Sequence, residues 1–525
     1  MPQPFTRPHH SQRLATEEFD LLVIGGGITG AGVALDAISR GLKVALVEKC
    51  DFASGTSSKS SKLIHGGLRY LQQGDVRLVY EALHERRRLM RNAPHSVRVL
   101  PFMIPIFKKD GLLPRRVARA LGSSLWMYDL TGGWRIGRFH RRLRAKSACR
   151  HFPTMPGDNL ASAYVYYDAE ADDARLTLQV LRTASDLGAV ILNYAAVTSL
   201  SKDSNGQVCG ASVSVDGASV AVRARTVVSA TGVWIDDLHA MESGNESSTV
   251  RPAKGVHLTF AWDKIRNDIA VVIPVPKDRR SLFVVPWQPL PDGTYRYTYV
   301  GTTDTGYTGP VDDPQCTLDD IDYVIAALNA SLAAPVSRED VLGTWAGLRP
   351  LVAPQGGEEV KTRTADLSRR HRVTTGPNGV ISVSGGKLTT YREMAEDTVD
   401  QVVRALGVNS RCKTKRLSIT ASSPDPDPST LVAGLPLTRG EVVRAVNQEM
   451  AIHLDDVMCR RTRSLLFDRA ASRRIAADVA AIMAELLDWD AERARIEIDR
   501  YQAQCDRESL AAAMTETEFH RQVGR

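Results

Sequence analysis

Residues suited to binding a small anion recur along the chain, each time beside glycine. The densest group is the run from His65 to Tyr70, which holds a histidine, two glycines, an arginine and a tyrosine within six residues. Glycine also stands near a cation at Lys254-Gly255, Gly347-Leu348-Arg349 and Gly386-Lys387. Glycine lets backbone approach a ligand closely, and lysine and arginine make charge-assisted hydrogen bonds to anions. Together these groups predict a site for a small anionic ligand, although each alone also fits a structural ion pair or a core position.

A glycine-rich turn near the N-terminus predicts dinucleotide binding. An apolar run leads into Gly25-Gly26-Gly27-Ile28-Thr29-Gly30, followed by a helical stretch, a second apolar run and Glu48. In such a unit Gly25 permits the tight turn, Gly27 lets the backbone approach a pyrophosphate, and Gly30 lets the helix pack on the strand. Glu48, 18 residues after Gly30, is placed to accept the ribose hydroxyls of the adenosine. The pattern does not choose between FAD and NAD.

The segments that follow supply further polar groups and the elements that carry them. Residues 55–62 are small and hydroxyl-rich, and suit bonds to phosphate or ribose oxygens. Further glycine turns, at Gly232 and at Gly385-Gly386, each follow a predicted strand. The alternating Val, Tyr, Phe and Thr of residues 256–303 predict antiparallel sheet. The nucleotide-binding unit is therefore interrupted by sheet-rich insertions and resumes near residue 376.

Beyond a proline-rich linker at residues 421–430, the chain is predicted to be helical. Ile475, Val479, Ile482 and Leu486 are spaced four, three and four residues apart, which gives a helix one apolar face. We expect a small helical C-terminal domain, with this face in its core.

The composition is that of a soluble globular protein with several domains. A chain of 525 residues is too long for one core, and its 43% hydrophobic content is ordinary. No apolar run approaches the roughly 18 residues that span a bilayer. The polar residues 1–17 lack a signal-peptide core and are expected to form a disordered tail. The seven dispersed cysteines include no CxxC pair, which favours a reducing cytoplasm and argues against a zinc site or a disulfide framework.

The positive charge of the chain is concentrated in one segment. Residues 108–150 contain 12 Lys and Arg and two Asp, which gives this segment a net charge of +10. Because the net charge of the whole chain is +7, the rest of the chain has a net charge of −3. Trp126, Trp134 and Phe139 lie among these cations, and this mixture favours contact with an anionic membrane surface. The alternative is a pair of solvated surface helices. No nucleic-acid-binding motif accompanies the charge, which argues against nucleic acid as a partner.

The motifs resemble those of the FAD-dependent, quinone-linked glycerol-3-phosphate dehydrogenases. The most specific are Ser60-Ser-Lys-Leu-Ile-His-Gly-Gly-Leu-Arg-Tyr-Leu71 and Gly385-Gly-Lys-Leu-Thr-Thr-Tyr391. The resemblance runs from residue 18 nearly to the end of the chain, and it favours FAD over NAD. The matching stretches are Asp20–Glu48, Gly55–Leu71, Ala230–Trp234, Lys254–His257, Gly301–Tyr307, Gly347–Pro350 and Ser384–Tyr391.

The resemblance implies an α/β fold with three regions. An FAD-binding Rossmann-like domain, expected at 18–75, 160–250 and 376–420, is interleaved with a sheet-rich substrate domain. That substrate-binding or cap region is expected at 76–159 and 251–375 and contains the basic membrane-surface segment 108–150. A small all-α C-terminal domain is expected at 430–525.

The resemblance also implies roles for individual residues. The substrate-binding positions of the family fall on Arg69, Tyr70, Arg349, Arg369 and Lys387, and the register at Arg369 is open because its neighbours are also basic. Arg349 is also expected in catalysis, and His65 and His257 are the candidate bases, because histidine titrates near neutral pH. No metal is expected. The residues expected to hold FAD are Gly25, Gly27, Gly30, Glu48, Thr56, Ser57, Ser61, Gly232, Gly386 and Thr389.

The implied reaction is oxidation of sn-glycerol 3-phosphate to dihydroxyacetone phosphate. Hydride would pass from C2 to flavin N5, and the electrons would pass on to membrane quinone. The implied location is cytoplasmic, at the inner face of the cell membrane. Three alternatives stay open: a soluble glycerol-3-phosphate oxidase that uses oxygen, a flavin-dependent amino-acid oxidase, and a non-catalytic flavoprotein. The oligomeric state is also open, with a homodimer as one option.

Overall fold

The structure is a computed structural model that describes residues 5–68, 76–108, 118–132, 136–245, 249–276, 280–352, 370–432 and 434–523. The strands are β1 (Glu18–Ile24), β2 (Val44–Val47), β3 (Leu63–Ile64), β4 (Val97–Phe107), β5 (Arg141–Arg144), β6 (Leu160–Ala171), β7 (Val190–Leu192), β8 (Ala195–Lys202), β9 (Val208–Val215), β10 (Ala218–Ser229), β11 (Val250–Ala261), β12 (Ala270–Pro274), β13 (Ser281–Pro289), β14 (Tyr295–Gly301), β15 (Thr305–Gly306), β16 (Val341–Val352), β17 (Arg372–Thr375) and β18 (Ile381–Ser384). The α-helices are α1 (Arg7–Thr16), α2 (Ile28–Ser39), α3 (Val76–Asn92), α4 (Ala118–Thr131), α5 (Ala145–His151), α6 (Asp173–Asp186), α7 (Ile235–Ser243), α8 (Trp262–Ile265), α9 (Leu318–Asn329), α10 (Tyr391–Ala405), α11 (Arg439–Glu449), α12 (Ser464–Phe467), α13 (Arg469–Arg474), α14 (Ala476–Leu487), α15 (Ala491–Ala512) and α16 (Glu516–Val523).

The glycine turn lies at the centre of a largely parallel sheet. Its strand order is β17-β18-β10-β1-β2-β7, and the hairpin β8–β9 pairs with β10. Strands β18, β10, β1, β2 and β7 run parallel to one another, whereas β17 and β9 pair antiparallel with β18 and β10. The carboxyl ends of parallel strands meet at one edge of a sheet. The glycine turn after β1, Glu48 after β2 and the turn at Gly232 after β10 are therefore neighbours.

Helices α2, α6 and α10 pack in one apolar core with this sheet. Small and aliphatic side chains of α2, such as Val33 and Leu35, are fully or almost fully buried. They belong to the same cluster as Leu176 of α6 and Val399 of α10. This packing fixes the start of α2 against the glycine turn.

A second sheet is mainly antiparallel and carries the other wall of the site. Its order is β15-β11-β14-β13-β12-β4-β6-β3, with β16 on β11 and β5 on β6. The antiparallel pairing predicted for residues 256–303 is confirmed by β11, β14 and β13. Three strands belong to a different sheet from the one that the expected domain boundaries give them. β3 and β6 join this sheet because β6 pairs with β4 along its length, and β17 joins the parallel sheet through β18.

The C-terminal helices share a core with the second sheet. Tyr297 of β14 stacks on Phe467 with ring centroids 5.1 Å apart, and both belong to one cluster with Ile475, Val479 and Ile482. The predicted apolar face is therefore core. Within the described ranges, no helix is both long enough and apolar enough to cross a bilayer.

The expected disordered tail is wrong for residues 7–16, which form helix α1. Phe5, His10 and Leu14 are buried, at 4%, 0% and 1% exposure. His10 Nδ1 accepts a hydrogen bond from the Ile191 N–H at 3.1 Å. The polar composition of the segment concealed these few anchors, each of which is buried against the parallel-sheet region.

Candidate active site

A cavity of about 590 Å³ opens at the edge where the parallel strands end. Its walls come from both sheets and from the segment between β2 and β3. Most of the predicted site residues line it, although they are far apart in the sequence. Those residues are Gly25, Gly27, Glu48, Thr56, Ser57, Ser61, His65, Gly232, His257, Arg349, Gly386, Lys387 and Thr389. Arg69, Tyr70 and Arg369 lie outside the described residues.

The glycine turn has the geometry that its sequence predicts. Gly25 has φ +112°, and a Cβ there would lie 2.6 Å from the Ala230 carbonyl oxygen. A Cβ on Gly30 would lie 1.9 Å from the Gly25 oxygen, so Gly30 serves close packing and does not line the cavity. A Cβ on Gly27 would meet only Ser57 within 4 Å. Gly27 thus leaves the start of α2 open toward the cavity, as a pyrophosphate requires.

Glu48 lines the cavity at the end of β2, with its carboxylate already oriented by backbone. Oε2 accepts from the Gly26 N–H at 2.6 Å, and Oε1 accepts from the Cys50 N–H at 3.0 Å. Burial raises the pKa of Glu48, and these two N–H groups act in the opposite direction. An ionised carboxylate has about four acceptor positions. Glu48 therefore keeps acceptor capacity for a ribose.

The hydroxyl-rich stretch ties the glycine turn to the second sheet. Ser57 Oγ accepts from the Ile28 N–H at 2.9 Å, at the first turn of α2. Thr56 Oγ1 donates to the Leu348 carbonyl of β16 at 2.6 Å. Ser61 Oγ lies 2.8 Å from His257 Nε2 on β11. One short segment thus links the two sheets across the cavity.

His257 is held neutral in a buried position. It is 2% exposed and stacks on Trp345, with ring centroids 4.7 Å apart and an interplanar angle of 11°. Burial lowers its pKa well below the ordinary value, and Lys62 and Arg349 lower it further. Its Nδ1 has no hydrogen-bond partner among the described residues. These features make His257 a weak base.

His65 is half-buried and lines the cavity directly. Its backbone N–H donates to Thr389 Oγ1 at 3.1 Å, and Thr389 Oγ1 donates back to the His65 carbonyl at 3.3 Å. Thr389 follows the turn in which Gly386 has φ +82°. The turn after β18 therefore fixes the backbone of His65.

Five cations line the cavity, namely Lys49, Lys59, Arg280, Arg349 and Lys387, and of these the sequence predicted Arg349 and Lys387. Arg349 Nη2 donates to Thr302 Oγ1 and to the Thr303 carbonyl, both at 3.0 Å. Another of these cations, Arg280, donates from Nη1 to the Asp304 carbonyl at 2.9 Å. Two guanidinium groups thus meet the loop 302–304. The signal for Arg280 was its place in a basic run just before β13, opposite the Gly301–Asp304 motif.

Lys254, which the sequence also places beside a glycine, forms structural ion pairs and does not face the cavity. It is 1% exposed, its Nζ lies 2.7 Å from Asp320 and 2.9 Å from Glu516, and it does not line the cavity. These contacts tie β11 to α9 and α16.

An ionic cluster that sequence reasoning missed holds the segment carrying Ser61. Asp173 Oδ2 accepts from Ser60 N at 2.9 Å and Ser60 Oγ at 2.7 Å. Its Oδ1 accepts from Lys62 Nζ at 3.0 Å and from Arg463 Nη2 at 2.5 Å. Asp173 and Arg463 are both buried. The C-terminal region therefore stabilises a wall of the cavity that none of its described residues lines.

The residues present fit FAD. The turn at Gly25 and Gly27 and the start of α2 would hold the pyrophosphate, and Glu48 would hold the adenosine ribose. Gly232, with φ +61°, also borders the cavity, and a Cβ there would meet nothing within 4 Å. Open backbone at these positions is what close approach of a dinucleotide needs.

Comparisons with known proteins agree with this arrangement. Residues 20–392 match the family described as FAD dependent oxidoreductase, and residues 356–494 match the C-terminal domain of alpha-glycerophosphate oxidase. The glycerol-3-phosphate dehydrogenase 2 of Mycobacterium tuberculosis is 35% identical, over 96% of this chain and 90% of the relative. The glycerol-3-phosphate dehydrogenase 1 of the same organism is 38% identical, over 87% and 93%.

The chain is also similar, over nearly its whole length, to a solved structure. The glycerol-3-phosphate dehydrogenase from Bacillus halodurans, complexed with FAD, has a TM-score of 0.73 and 29% identity, over 96% of this chain and 97% of that chain. The present chain belongs to the FAD-dependent oxidoreductases and, within them, to the glycerol-3-phosphate dehydrogenase family. The predicted family, fold class and FAD cofactor are confirmed.

Proposed function

We propose that this chain oxidises sn-glycerol 3-phosphate to dihydroxyacetone phosphate and that membrane quinone takes the electrons. The supporting observation is that Arg280, Arg349 and Lys387 line the same cavity as the dinucleotide-binding turn. A carboxylate is satisfied by one bidentate arginine, whereas a phosphate dianion uses several cations. The cavity therefore favours a phosphorylated alcohol over an amino acid.

In this proposal the phosphate group binds near the loop 302–304. Arg349 and Arg280 are held there by the carbonyls of Thr303 and Asp304. Each charge-assisted hydrogen bond to the phosphate would contribute about 1.5–3 kcal/mol. Lys387 reaches the cavity from the turn after β18 and adds a third positive charge.

His65 is the proton acceptor in this proposal. His257 is the weaker candidate because burial lowers its pKa and Ser61 occupies its Nε2. His65 is less buried and borders the cavity. Bound FAD supplies the acceptor for the C2 hydride, at N5. The C2 hydroxyl proton passes to His65, so the alcohol loses a hydride and a proton and becomes a ketone.

A surface patch supports attachment to a membrane that contains the quinone. Trp126, Met127, Leu130 and Phe139 are 42–69% exposed, and the rings of Trp126 and Phe139 lie 6.2 Å apart. We call these residues, together with the exposed cations between residues 138 and 150, the interfacial surface. Those cations are Arg138, Arg141, Arg142, Arg144, Lys146 and Arg150.

The charges of the interfacial surface favour the inner face of the cell membrane. Anionic lipids are concentrated in the cytoplasmic leaflet, and each cation near such a surface contributes about 1 kcal/mol. Exposed aromatic side chains suit the boundary between headgroups and acyl chains. The protein would then lie on the bilayer where quinone is dissolved.

The reaction is tested with purified, FAD-loaded protein under anaerobic conditions. Glycerol 3-phosphate should bleach the yellow flavin, and a quinone analogue should restore the colour faster than oxygen. Faster restoration by oxygen would identify an oxidase. Bleaching by an amino acid but not by glycerol 3-phosphate would identify an amino-acid oxidase, and no bleaching by either would point to a non-catalytic flavoprotein.

Membrane attachment is tested by co-sedimentation with lipid vesicles. Binding should rise with anionic lipid and fall with added salt, because salt screens the attraction. Replacing Arg138, Arg141, Arg142 and Arg144 together by glutamine should reduce binding. The matched control replaces four exposed arginines elsewhere, Arg223, Arg338, Arg473 and Arg495. Equal loss in both variants, or equal binding to neutral and anionic vesicles, would contradict the proposal and favour a solvated surface.

A further inference from the structure

Helix α4 carries part of the interfacial surface on one face and reaches toward the active site with the other. Trp126, Met127 and Leu130 are exposed, whereas Leu125 and Tyr128 are fully buried. The Tyr128 hydroxyl donates to Asp168 Oδ1 at 2.7 Å and accepts from the Gly66 N–H at 3.1 Å. Gly66 directly follows His65. The inner face of α4 therefore contacts the backbone beside the proposed proton acceptor.

The contact between Tyr128 and Gly66 is close enough to require glycine. A Cβ on Gly66 would lie 2.6 Å from the Tyr128 hydroxyl and 2.5 Å from Leu83 Cδ2. The Gly66 N–H also lies 3.3 Å from Asp168 Oδ1. The glycine after His65 thus lets the backbone reach this polar pair, and any side chain there would displace it.

The polar pair beneath Gly66 is itself held in place. Arg86, buried in the core, forms a salt bridge with Asp168 and donates to the Tyr167 carbonyl at 3.0 Å. Burial, followed by the charge of Asp168, raises the pKa of Tyr128 well above its ordinary value. Tyr128 therefore stays protonated and donates to the carboxylate, which leaves a lone pair of its oxygen for the Gly66 N–H.

The peptide that joins His65 to Gly66 is consequently fixed from two directions. Thr389 binds the N–H and carbonyl of His65 from the turn after β18. Tyr128 binds the N–H of Gly66 from α4. We propose that Tyr128 is a positioning residue that sets the orientation of His65 through this hydrogen bond to Gly66. The catalytic consequence rests on the proposed role of His65 in glycerol 3-phosphate oxidation.

Tyr128→Phe tests the proposal, because it removes the hydroxyl and keeps the ring. Single-turnover reduction of the flavin by glycerol 3-phosphate should slow by about tenfold to a hundredfold, since small misplacements of a reacting group cost rates of that size. Flavin content and the concentration of substrate at half-saturation should stay unchanged, because the cations of the cavity are not altered.

Tyr501→Phe is the matched control. Tyr501 is 1% exposed, and its hydroxyl binds Ser472 within the C-terminal helices, away from the cavity. Both variants lose one buried hydroxyl, so both should lower the melting temperature to a similar extent. Only Tyr128→Phe should slow flavin reduction. Equal slowing in both variants, or no slowing in Tyr128→Phe, would overturn the proposal.

Hydrogen exchange separates this proposal from the proposed function. The Gly66 amide in the FAD-loaded protein should exchange faster in Tyr128→Phe than in the wild type, and at the wild-type rate in Tyr501→Phe. This measurement needs no substrate. A wild-type flavin that glycerol 3-phosphate does not reduce would refute the proposed function, and unchanged Gly66 exchange in Tyr128→Phe would refute the positioning role.

Discussion

Arg349→Ala is expected to lower kcat/KM for glycerol 3-phosphate while leaving the flavin content unchanged. The guanidinium is oriented on the cavity wall by Thr302 Oγ1, the Thr303 carbonyl and, at 3.3 Å, the Lys254 carbonyl. Loss of one charge-assisted bond to the substrate phosphate costs about 1.5–3 kcal/mol. At about 1.4 kcal/mol for each factor of ten, kcat/KM should fall about tenfold to about 150-fold.

The same bonds also connect the loop 302–303 to β16, so a disturbed loop could lower the rate without any loss of phosphate binding. Titration of the oxidised flavin spectrum with inorganic phosphate and with glycerol distinguishes the two causes. If Arg349 binds the phosphate group, the dissociation constant for inorganic phosphate should rise and that for glycerol should stay constant. An equal change in both constants would refute a phosphate-binding role.

Arg338→Ala provides the control for removal of an arginine. Arg338 lies just before β16, its side chain is 55% exposed, and it pairs with Asp322. An exposed pair of this kind contributes about 0–1 kcal/mol. Its kinetics should match the wild type. Unchanged kinetics in Arg349→Ala as well would show that Arg349 is only structural.

Three further outcomes are expected. Acid precipitation should release all of the yellow colour into the supernatant, because we expect the glycine turn and the start of α2 to hold FAD without a covalent link; colour in the pellet would contradict this. Arg463→Ala should destabilise the fold by about 3 kcal/mol in urea unfolding, at the lower end of the cost of breaking a buried pair, because Lys62 still pairs with Asp173. Arg473→Ala is the control: it breaks an exposed ion pair and should lower the free energy of unfolding by less than about 1 kcal/mol. Equal destabilisation by the two substitutions would argue against a special contribution of the buried pair. Burial lowers the pKa of His257 from 6.5, so the unfolded chain binds a proton at this histidine more readily than the folded chain does. The contribution of neutral His257 to stability is therefore complete above pH 6.5 and falls as the pH falls below it. The urea midpoint of unfolding should therefore drop more between neutral and mildly acidic pH in the wild type than in His257→Gln. If the midpoints of the two proteins changed in parallel with pH, this role of His257 would be refuted.

The nucleotide-binding half of the site was predictable because its determinants are local. Gly25 and Gly30 touch each other within one turn of strand and helix, so their spacing alone specifies the geometry. Glu48 follows the adjacent parallel strand, and the rule that parallel strands end at one edge places it beside the turn. The single stretch from Gly25 to Glu48 thus determines most of the geometry of the nucleotide-binding half.

The wall of the cavity that carries Ser61 and Arg280 was less predictable, because it depends on contacts between residues that are distant in the sequence. Arg463 and Asp173 are separated by 290 positions and Lys62 and Asp173 by 111. Nothing local distinguishes these charges from solvated ones. Arg280 was missed for the same reason, since only the pairing of β13 with β14 brings it beside the loop 302–304. Helix α1 was missed because few apolar anchors sufficed to order a polar segment.

The C-terminal region contributes to the site although none of its described residues lines the cavity. Arg461 binds Asp51 through Nη1 at 2.5 Å and Nη2 at 2.8 Å, three residues beyond Glu48. Arg463 binds Asp173 beneath the segment that carries Ser61. One short run of arginines therefore neutralises buried carboxylates beside both the ribose end and the histidine end of the cavity. Removing a cation from a buried ion pair is destabilising, so loss of these arginines would weaken both walls, although Lys62 would still pair with Asp173. The shape of the cavity therefore depends on contacts that the helical region makes with the segments carrying Asp51 and Asp173.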